Sequence, residues 1–316
     1  MKFYIYRLEF KTPVHFGNGR LSGSDEALYA DTFFSALCHE ALFQKGEQGI
    51  KELYDLVEAG NLRFSDLMPY KKDKKTNETV YYIPKPRIVV ESEKSGDSGL
   101  KKRFKKLKYI SYADLKDYVS GRYIPGDELE FGIHDIRGHA KINVGEDAEP
   151  YDVGDFTFTD TEEELAGLYF ITGMTDDGIL ELLDKLTDSL SRTGIGGELS
   201  SGLGKFRAER QEAGVISKDI EEHLTGKFDD YISLSISMGK DEELDKALKG
   251  AGYELIKRSG FISEGRDSAE AIKKKEMYCF KAGACFKEKF EGKIFDVSPE
   301  GIHPVYRYAH PFWFGI

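Results

Sequence analysis

Residues Gly194–Phe206 read GIGGELSSGLGKF, and this stretch constrains the fold more than any other part of the chain. Five of its thirteen residues are glycine, with two serines between them and a lysine and a phenylalanine at its end. Glycine is unfavourable inside helices and strands, so this density indicates a tight connection or a place where another group lies on the backbone. A simple connection between a helix and a strand needs only one or two glycines, which favours the second interpretation.

The glycine-rich stretch does not fit the common nucleotide-binding fingerprints. Lys205 is followed by Phe206 rather than by Ser or Thr, so the P-loop pattern is not met. The stretch contains GxGG and is expected to follow a helix and precede a strand, whereas a dinucleotide fingerprint has the reverse order. Its backbone N–H groups, flanked by Arg192 and Lys205, suit a sugar-phosphate strand. The sequence predicts no cofactor and no metal site.

The segments around this stretch predict an α+β fold. Lys2–Lys11 alternates like a half-buried strand, and Asp31 is expected to cap a helix that runs to about Gln44. Asp176–Ser191 carries one apolar face and predicts a long helix before the glycine-rich stretch. A strand is expected over Gly204–Arg210. The second half of the chain predicts a similar order of strands and a helix, with shorter elements.

The order of these segments predicts two ferredoxin-like (RRM-like) modules, residues 1–212 and 213–316. Residues at about 84–150 do not fit a compact core and predict a long insertion in the first module. A short helix is expected there near Tyr112–Val119, and an extended arm around Ala140–Val144.

Charge is distributed unevenly along the chain. The 316 residues carry a formal net charge of −11, which taken alone argues against a nucleic-acid partner. Between Lys71 and Lys108, however, there are thirteen Lys/Arg and five Asp/Glu, a net of +8, so the rest of the chain carries −19. The stretch KKRFKKLK combines cations with one aromatic residue, Phe104, as single-stranded RNA requires. A solvated, disordered basic loop would have the same composition.

Other features exclude several classes of protein. Cys38, Cys279 and Cys285 form no CxxC pair, so a zinc site or a disulfide framework is not expected. The N-terminus is too polar for a signal peptide, and no apolar run approaches the length needed to cross a bilayer. The sequence predicts a soluble, cytoplasmic protein with no membrane partner.

Several motifs together resemble a known family. They are TPVHFGN, ADTFFSALCHEA, IPKP, KKLKYI, SLSRTGIGGELSSGLGKF and the C-terminal HPVYRYAHPF. A glycine-rich segment between the last helix and the final strand of a ferredoxin-like module resembles the signature of the RAMP superfamily, the repeat-associated RNA-binding proteins of CRISPR systems. The combination resembles the fourth (5′-handle-binding) subunit of the type III-A Csm effector complex over nearly the whole chain.

This resemblance implies a function. Subunits of this kind are non-catalytic: they hold the 5′ handle of the CRISPR RNA and join the backbone filament of RAMP subunits to the large polymerase-like subunit. They carry a thumb-like hairpin that meets the target RNA, and the insertion at about 84–150 is the best thumb candidate here. Glu198 departs from the usual loop, where a basic residue would help.

The expected RNA-binding residues fall into three groups. The first follows the N-terminal strand, where a ring and an imidazole are available: His15, Phe16 and Gly17. The second belongs to the glycine-rich stretch: Arg192, Gly194, Gly196, Gly197, Ser200, Ser201, Gly202, Gly204 and Lys205. The third supplies most of the cations: Lys85, Arg87, Lys101, Lys102, Arg103, Lys105, Lys106 and Lys108.

Two other functions are compatible with the sequence. A metal-independent CRISPR RNA-processing endoribonuclease of the same superfamily needs a general acid and base, for which His15 and Lys205 are candidates. A pure assembly scaffold would use the basic arm to contact an acidic partner instead of RNA. Five other histidines lack the spacing of a catalytic or metal site: His39, His134, His139, His303 and His310. The aromatic tail Tyr306–Phe314 is expected to complete the second core.

Overall fold

The computed structural model describes residues 1–88, 98–141, 149–216, 218–262 and 272–316. Its helices are α1 (Ala30–Lys45), α2 (Glu47–Glu58), α3 (Ser98–Lys106), α4 (Leu115–Val119), α5 (Asp177–Thr193), α6 (Ala213–Ile216), α7 (Lys218–Thr225) and α8 (Asp241–Ala247). The strands of the first module are β1 (Lys2–Phe10), β2 (Leu62–Phe64), β3 (Met68–Asp73), β4 (Thr79–Pro84), β5 (Tyr109–Ser111), β6 (Gly132–Lys141), β7 (Glu149–Phe158), β8 (Glu164–Met174) and β9 (Phe206–Glu212). Those of the second are β10 (Tyr231–Ser233), β11 (Leu255–Arg258), β12 (Met277–Phe280), β13 (Cys285–Phe286), β14 (Ile294–Asp296), β15 (Tyr306–Tyr308) and β16 (Trp313–Gly315).

An antiparallel sheet organises the first module. Its strands follow the order β5-β4-β3-β8-β1-β9, with β2 also paired to β8. The central order β9-β1-β8-β3, with α1 after β1 and α5 after β8, is the ferredoxin-like arrangement that the sequence predicts. The alternation along β1 explains its central place, because Leu8 packs on one face of the sheet and Ile5 on the other.

Helix α5 leads into the glycine-rich stretch. The Asp176 carboxylate caps it by accepting hydrogen bonds from the backbone N–H groups of Gly178 at 2.8 Å and Ile179 at 3.3 Å. Its apolar face is buried against the sheet as predicted, and the helix ends at Gly194 with φ +97°. A positive φ at that position favours glycine, so the stretch begins where the helix must stop.

Helix α1 begins differently from the prediction. Tyr29 occupies the N-cap, and the expectation that Asp31 caps the helix is wrong, because Asp31 is buried in the first turn and binds two arginines. The first backbone N–H, that of Ala30, instead donates to Asp66 Oδ1 at 2.8 Å. The helix start is therefore held by long-range partners.

The insertion is more compact than the sequence suggests. Phe104, Ile110, Leu115 and Tyr118 are buried against the second face of the sheet, so the prediction of no compact core is wrong for this part of residues 84–150. The predicted short helix is present as a 3₁₀ turn followed by α4. What projects is the β6–β7 hairpin, paired from Gly132↔Phe158 to Lys141↔Glu149. Residues 142–148, which include most of the predicted extended arm, lie outside the described residues.

The second module is also α+β. Strand β10 lies between β13 and β16, and two hairpins, β11–β12 and β14–β15, complete the strands among the described residues. The C-terminal tail is largely buried, but Tyr308, Phe312 and Phe314 belong to clusters that also contain residues of the first module, so the tail completes a shared core rather than the second core alone. Trp313 packs against the second module's own cluster, and its Nε1 donates to the backbone oxygen of Phe290 at 3.1 Å. The boundary at residues 212 and 213 stays a prediction.

Buried polar contacts join the two modules. Asp66 Oδ1 accepts from Ala30 of the first module and from the backbone N–H of Ile236 of the second, at 2.8 and 2.9 Å. The Tyr308 hydroxyl accepts from the Phe64 N–H at 3.0 Å and donates to the Phe64 oxygen at 3.2 Å. Within the described residues, no helix has the length and apolar character that a membrane span requires.

Candidate nucleic-acid interface

Two glycines of the stretch are needed to close the loop on itself. Gly194 and Gly204 both have positive φ and are buried. A Cβ at Gly194 would lie 2.7 Å from the Leu203 oxygen, and one at Gly204 would overlap the Ile195 oxygen. The Ile195 N–H donates to the Gly204 oxygen at 3.0 Å. These two glycines are therefore required by the loop itself.

Two further glycines pack against the segment that follows β1. The Gly197 N–H donates to the His15 oxygen at 2.8 Å, and a Cβ there would lie 2.7 Å from His15 Cδ2. A Cβ at Gly196 would lie 2.7 Å from the same His15 oxygen. The fold thus brings together two of the predicted groups, which are about 180 residues apart in sequence.

The His15 imidazole is held in a defined orientation. The side chain is 8% exposed, and its Nδ1 lies 2.6 Å from the backbone oxygen of Gly154 on β7. A carbonyl oxygen only accepts, so Nδ1 carries the hydrogen of that bond. The other ring nitrogen, Nε2, makes no hydrogen bond with the described residues.

Two predicted stacking rings are unavailable. Phe16 is 2% exposed and packs edge-on against Phe10, and Phe104 is 3% exposed in the core under α3. The expectation that Phe16 and Phe104 stack on RNA bases is therefore wrong for this structure. Both rings stabilise the protein core instead.

The outer side of the loop is accessible. Arg192, Ser200, Ser201 and Lys205 are exposed, and a Cβ at Gly202 would meet nothing within 4 Å. Arg192 pairs with Asp188 one turn earlier in α5, with 2.7 Å between the charged atoms. The side of the loop around Ser200–Gly202 therefore offers backbone and hydroxyl groups to an outside ligand.

A small cavity of about 120 Å³ lies between this loop and the start of α1. Among the residues that line it are His15, Gly196, Gly197, Thr32 and Arg258. Arg258 belongs to β11 of the second module, and no pattern in the sequence indicates that it reaches this loop. Gly17, predicted as a contact, is exposed and also lines the cavity.

A buried carboxylate fixes Arg258. Its Nε lies 3.0 Å from Asp31 Oδ2, and its Nη2 lies 2.9 Å from Asp31 Oδ1 and 3.0 Å from Thr32 Oγ1. Arg307 Nη1 adds a contact of 2.7 Å to Asp31 Oδ2. Burial opposes ionisation of Asp31, but the two guanidinium groups outweigh it and hold its pKa below its usual value.

A larger cleft of about 600 Å³ collects the predicted cations. It lies between the segment before α1, the end of α3 and the second module. Five predicted RNA-binding residues line it: Lys85, Arg87, Lys105, Lys106 and Lys108. Lys281 also lines it, although no motif in the sequence indicates a role for this lysine. Lys101, Lys102 and Arg103 are exposed on α3 outside this lining.

The cleft and the small cavity are neighbours. Asp25, Ala27, Leu28 and Tyr29 line both of them. A continuous surface therefore runs from the glycine-rich loop, past the start of α1, to the lysines at the end of α3.

Several cations of the cleft are paired with acidic residues. Lys106 lies 3.0 Å from Glu128, and Lys108 lies 2.9 Å from Glu26. Arg87 lies 2.5 Å from Glu254. Lys106 and Glu128 are both exposed, and an exposed pair contributes little stability, so Lys106 can exchange its carboxylate for a phosphate at small cost. Lys85 differs because it is buried, and its Nζ donates to the Phe104 oxygen at 2.9 Å.

The other histidines are dispersed. His39 is exposed on α1, His139 stacks on Tyr151 in the hairpin, and His310 is buried with its pKa lowered to about 4 by burial. No group of three or more His, Cys, Asp and Glu side chains within the described ranges could hold a metal ion.

Comparison with solved structures defines the class of the fold. A chain in the crystal structure of the Csm3–Csm4 subcomplex in the type III-A CRISPR-Cas interference complex matches with a TM-score of 0.66 and 15% identity, covering 100% of this chain and 99% of that one. A Csm1–Csm4 cassette in complex with AMPPNP matches with a TM-score of 0.60 and 18% identity, covering 100% and 98%. These matches show that the chain has an α+β fold shared with proteins of CRISPR effector complexes.

Comparison of sequences gives the particular family. The family described as the CRISPR Csm4 C-terminal domain matches residues 227–316. The CRISPR system Cms protein Csm4 of Mycobacterium tuberculosis (strain CDC 1551 / Oshkosh) is 36% identical over 320 residues, covering 99% of this chain and 97% of that protein. The protein of the same name from Streptococcus thermophilus is 29% identical, covering 99% of both. The chain therefore belongs to the Csm4 family of CRISPR proteins.

Proposed function

We propose that this protein is a non-catalytic, RNA-binding subunit of a type III-A CRISPR effector complex that holds the 5′ handle of the CRISPR RNA. In this proposal it also links the filament of RAMP subunits to the large polymerase-like subunit. The names of the matched structures support the two protein partners, because one is a Csm3–Csm4 subcomplex and the other is a Csm1–Csm4 cassette.

The observation that carries the proposal is the continuity of the candidate interface. The glycine-rich loop, the His15 segment and the cationic cleft come from distant parts of the sequence and meet along one surface. A single-stranded RNA needs such a track, with cations spaced along its backbone and room for the backbone to approach. Tyr29 and Tyr109, which are partly exposed and line the cleft, replace the two buried phenylalanines as candidate aromatic contacts.

The exposed lysines of α3 provide the direct test. Replacing Lys101, Lys102, Lys105 and Lys106 with alanine should weaken RNA binding by the assembled complex and make it less sensitive to salt. Each lost phosphate contact should reduce the slope of log affinity against log salt by about 0.7. These side chains are exposed, so the fold should be unaffected.

A matched control separates site-specific contacts from net charge. Lys45, Lys185, Lys218 and Lys246 are also exposed, and none of them lines the cleft. Their quadruple alanine variant loses the same charge and should bind RNA with nearly the salt slope of the unaltered complex. If the α3 variant kept full affinity within the complex, the basic arm would contact a protein and the scaffold function would be favoured.

The β6–β7 hairpin is the proposed thumb. It projects from the packed part of the insertion, and Ile133 and Ile136 are 73% and 59% exposed on it. Exposed apolar side chains on a projecting hairpin can insert against bases of an RNA strand, so we place the target RNA near this element.

No observation favours the endoribonuclease alternative. His15 is tied to a backbone oxygen, and within the described residues no acidic or basic side chain hydrogen-bonds to its Nε2. The unaltered protein is expected to leave a repeat RNA uncleaved. If cleavage occurred and His15→Ala abolished it, the protein would be an enzyme.

A further inference from the structure

We propose that the cavity between the glycine-rich loop and Arg258 is a ribonucleotide subsite, in which Arg258 binds one phosphate and His15 Nε2 accepts a hydrogen bond from a ribose 2′-hydroxyl. This inference rests on the proposed RNA-binding function and names the contacts of one nucleotide within it.

The size of the cavity fits part of a nucleotide. Its volume is about 120 Å³, below the roughly 300–1,000 Å³ of pockets that enclose a whole small molecule. A phosphate with the edge of its sugar fits such a space while the base stays outside. The adjoining cleft of about 600 Å³ provides room for the rest of the strand.

His15 provides the observation that points to a ligand. The residue is 8% exposed and lines the cavity, and its Nε2, which keeps some accessible surface, has no hydrogen-bond partner in the described part of the chain. Because Nδ1 donates to Gly154, the neutral ring presents Nε2 as an acceptor. A 2′-hydroxyl is the donor that distinguishes RNA from DNA.

Arg258 provides the charge. Asp31 engages its Nε and Nη2, while its Nη1 makes no hydrogen bond with the residues that the structure describes. The Tyr29 ring lies 4.5 Å from the guanidinium carbon and fixes the plane of the group. The buried carboxylate therefore positions Arg258, and its free edge is available to a phosphate oxygen.

The opposite wall lets the sugar-phosphate backbone approach. Gly196 and Gly197 line it without side chains, and their close packing on His15 fixes the distance between loop and imidazole. The Thr32 hydroxyl, at the first turn of the sixteen-residue helix α1, also lines the cavity. Glycine backbone, imidazole, guanidinium and helix start thus converge on one small volume.

The test changes the RNA as well as the protein. Full-length protein is titrated with a single-stranded RNA of the handle sequence, and each phosphate in turn is replaced by an uncharged methylphosphonate. In the unaltered protein one position should weaken binding by about tenfold. In Arg258→Gln the same replacement should have no further effect. In Arg122→Gln, which changes an exposed arginine outside both the cavity and the predicted RNA-binding set, it should keep its effect.

A second series examines the 2′-hydroxyl. Single 2′-deoxy substitutions should reveal one adjacent nucleotide at which affinity falls about fivefold, and this loss should disappear in His15→Phe. If the protein does not bind the RNA, the proposed function fails. If it binds, but Arg258→Gln and His15→Phe keep every positional effect of the unaltered protein, only the subsite is wrong.

A further protein variant distinguishes a direct role of Arg258 in binding from a loss of stability. Arg307→Gln loses a contact to the same buried Asp31, but Arg307 does not line the cavity. This variant should share any loss of stability with Arg258→Gln and keep the phosphate effect. If both variants lost the phosphate effect alike, the role of Arg258 would be structural and the subsite would be contradicted.

Discussion

At the scale of single residues, the sequence pattern correctly places Asp31 at the start of a helix but predicts the wrong role for it. An acidic residue at a helix start usually caps the helix or interacts with its dipole. Here Tyr29 holds the cap position, while Asp31 is buried and binds Arg258 and Arg307, which lie 227 and 276 residues away in sequence. Periodicity located the helix, but only the tertiary structure identifies these partners.

Replacing Asp31 with asparagine should strongly destabilise the protein. The change leaves the buried guanidinium of Arg307 and the partly buried one of Arg258 without a counter-charge, and breaking a buried ion pair from one side costs about 3–5 kcal/mol. Denaturant unfolding at pH 7 measures this loss. Asp177→Asn, at an exposed carboxylate paired with Lys2, is the matched control and should change stability little. Equal stability of Asp31→Asn and the unaltered protein would refute the importance of the network.

Asp66 predicts a pH dependence of opposite sign to that of an ordinary salt bridge. Burial raises its pKa to about 7, against two backbone hydrogen bonds that lower it. The folded protein therefore binds a proton more tightly than the unfolded chain, whose aspartate titrates near 3.8. The stability from this group is complete below pH 3.8 and is lost as the pH rises to about 7.

Asp66→Asn should remove this dependence. Asparagine keeps an oxygen that can accept from Ala30 and Ile236 but does not ionise. The free energy of unfolding of the variant relative to the unaltered protein should rise by up to about 1.4 kcal/mol per pH unit between pH 4 and 7 and level off above. A difference that stays constant over this range would show that Asp66 does not titrate there.

At the scale of elements, the basic arm shows what the sequence could and could not reveal. The positive charge of the arm is evident in the sequence, and the structure places the exposed cations of KKRFKK on α3. The role assigned to Phe104 was wrong, although a signal was present: Leu100, Phe104 and Leu107 recur at helical spacing, which indicates a buried face. The order of β1, α1, β8, α5 and β9 was predictable because each has a strong period of its own.

The β6–β7 hairpin should be separable from the fold. Replacing residues 138–152 with Asn-Gly would join Arg137 to Val153, which already face each other across the hairpin, through a tight turn. The described residues removed are largely exposed, so thermal unfolding should shift by no more than a few degrees. With Ile133 and Ile136 also changed to serine, the variant is expected to keep affinity for the CRISPR RNA and lose contact with the target RNA.

A substitution at the base of the hairpin provides a comparison for truncation of its tip. Phe156 is fully buried in the first core, and Phe156→Ala should cost about 3–5 kcal/mol. If truncation of the tip destabilised the protein as much as Phe156→Ala does, the hairpin would be part of the core rather than a projecting thumb.

At the scale of the whole molecule, the two modules share their cores. The first cluster contains Phe34 and Phe64 together with Tyr308, and the second contains Ile5 together with Ile232 and Phe314. The sequence indicated two modules from a repeated order of elements. It could not show that they interlock, because Arg258 and the Asp66 contacts depend on how the modules pack.

We therefore expect the chain to unfold as one unit. Calorimetry should show a single transition whose van't Hoff and calorimetric enthalpies agree, and residues 1–212 produced alone should lack a cooperative transition. Two resolved transitions, with the first module stable by itself, would show that the shared core contributes little.

The most direct measurement concerns the loop around Ser200. A photoreactive benzoylphenylalanine is placed at Ser200 in the assembled complex, and the cross-linked nucleotides are mapped. The control position is the exposed Lys45, at the opposite end of α1 from the cavity. We expect cross-links from Ser200 to the 5′ handle of the CRISPR RNA and none from Lys45. Cross-links from Ser200 only to protein, in a complex that contains the RNA, would contradict it.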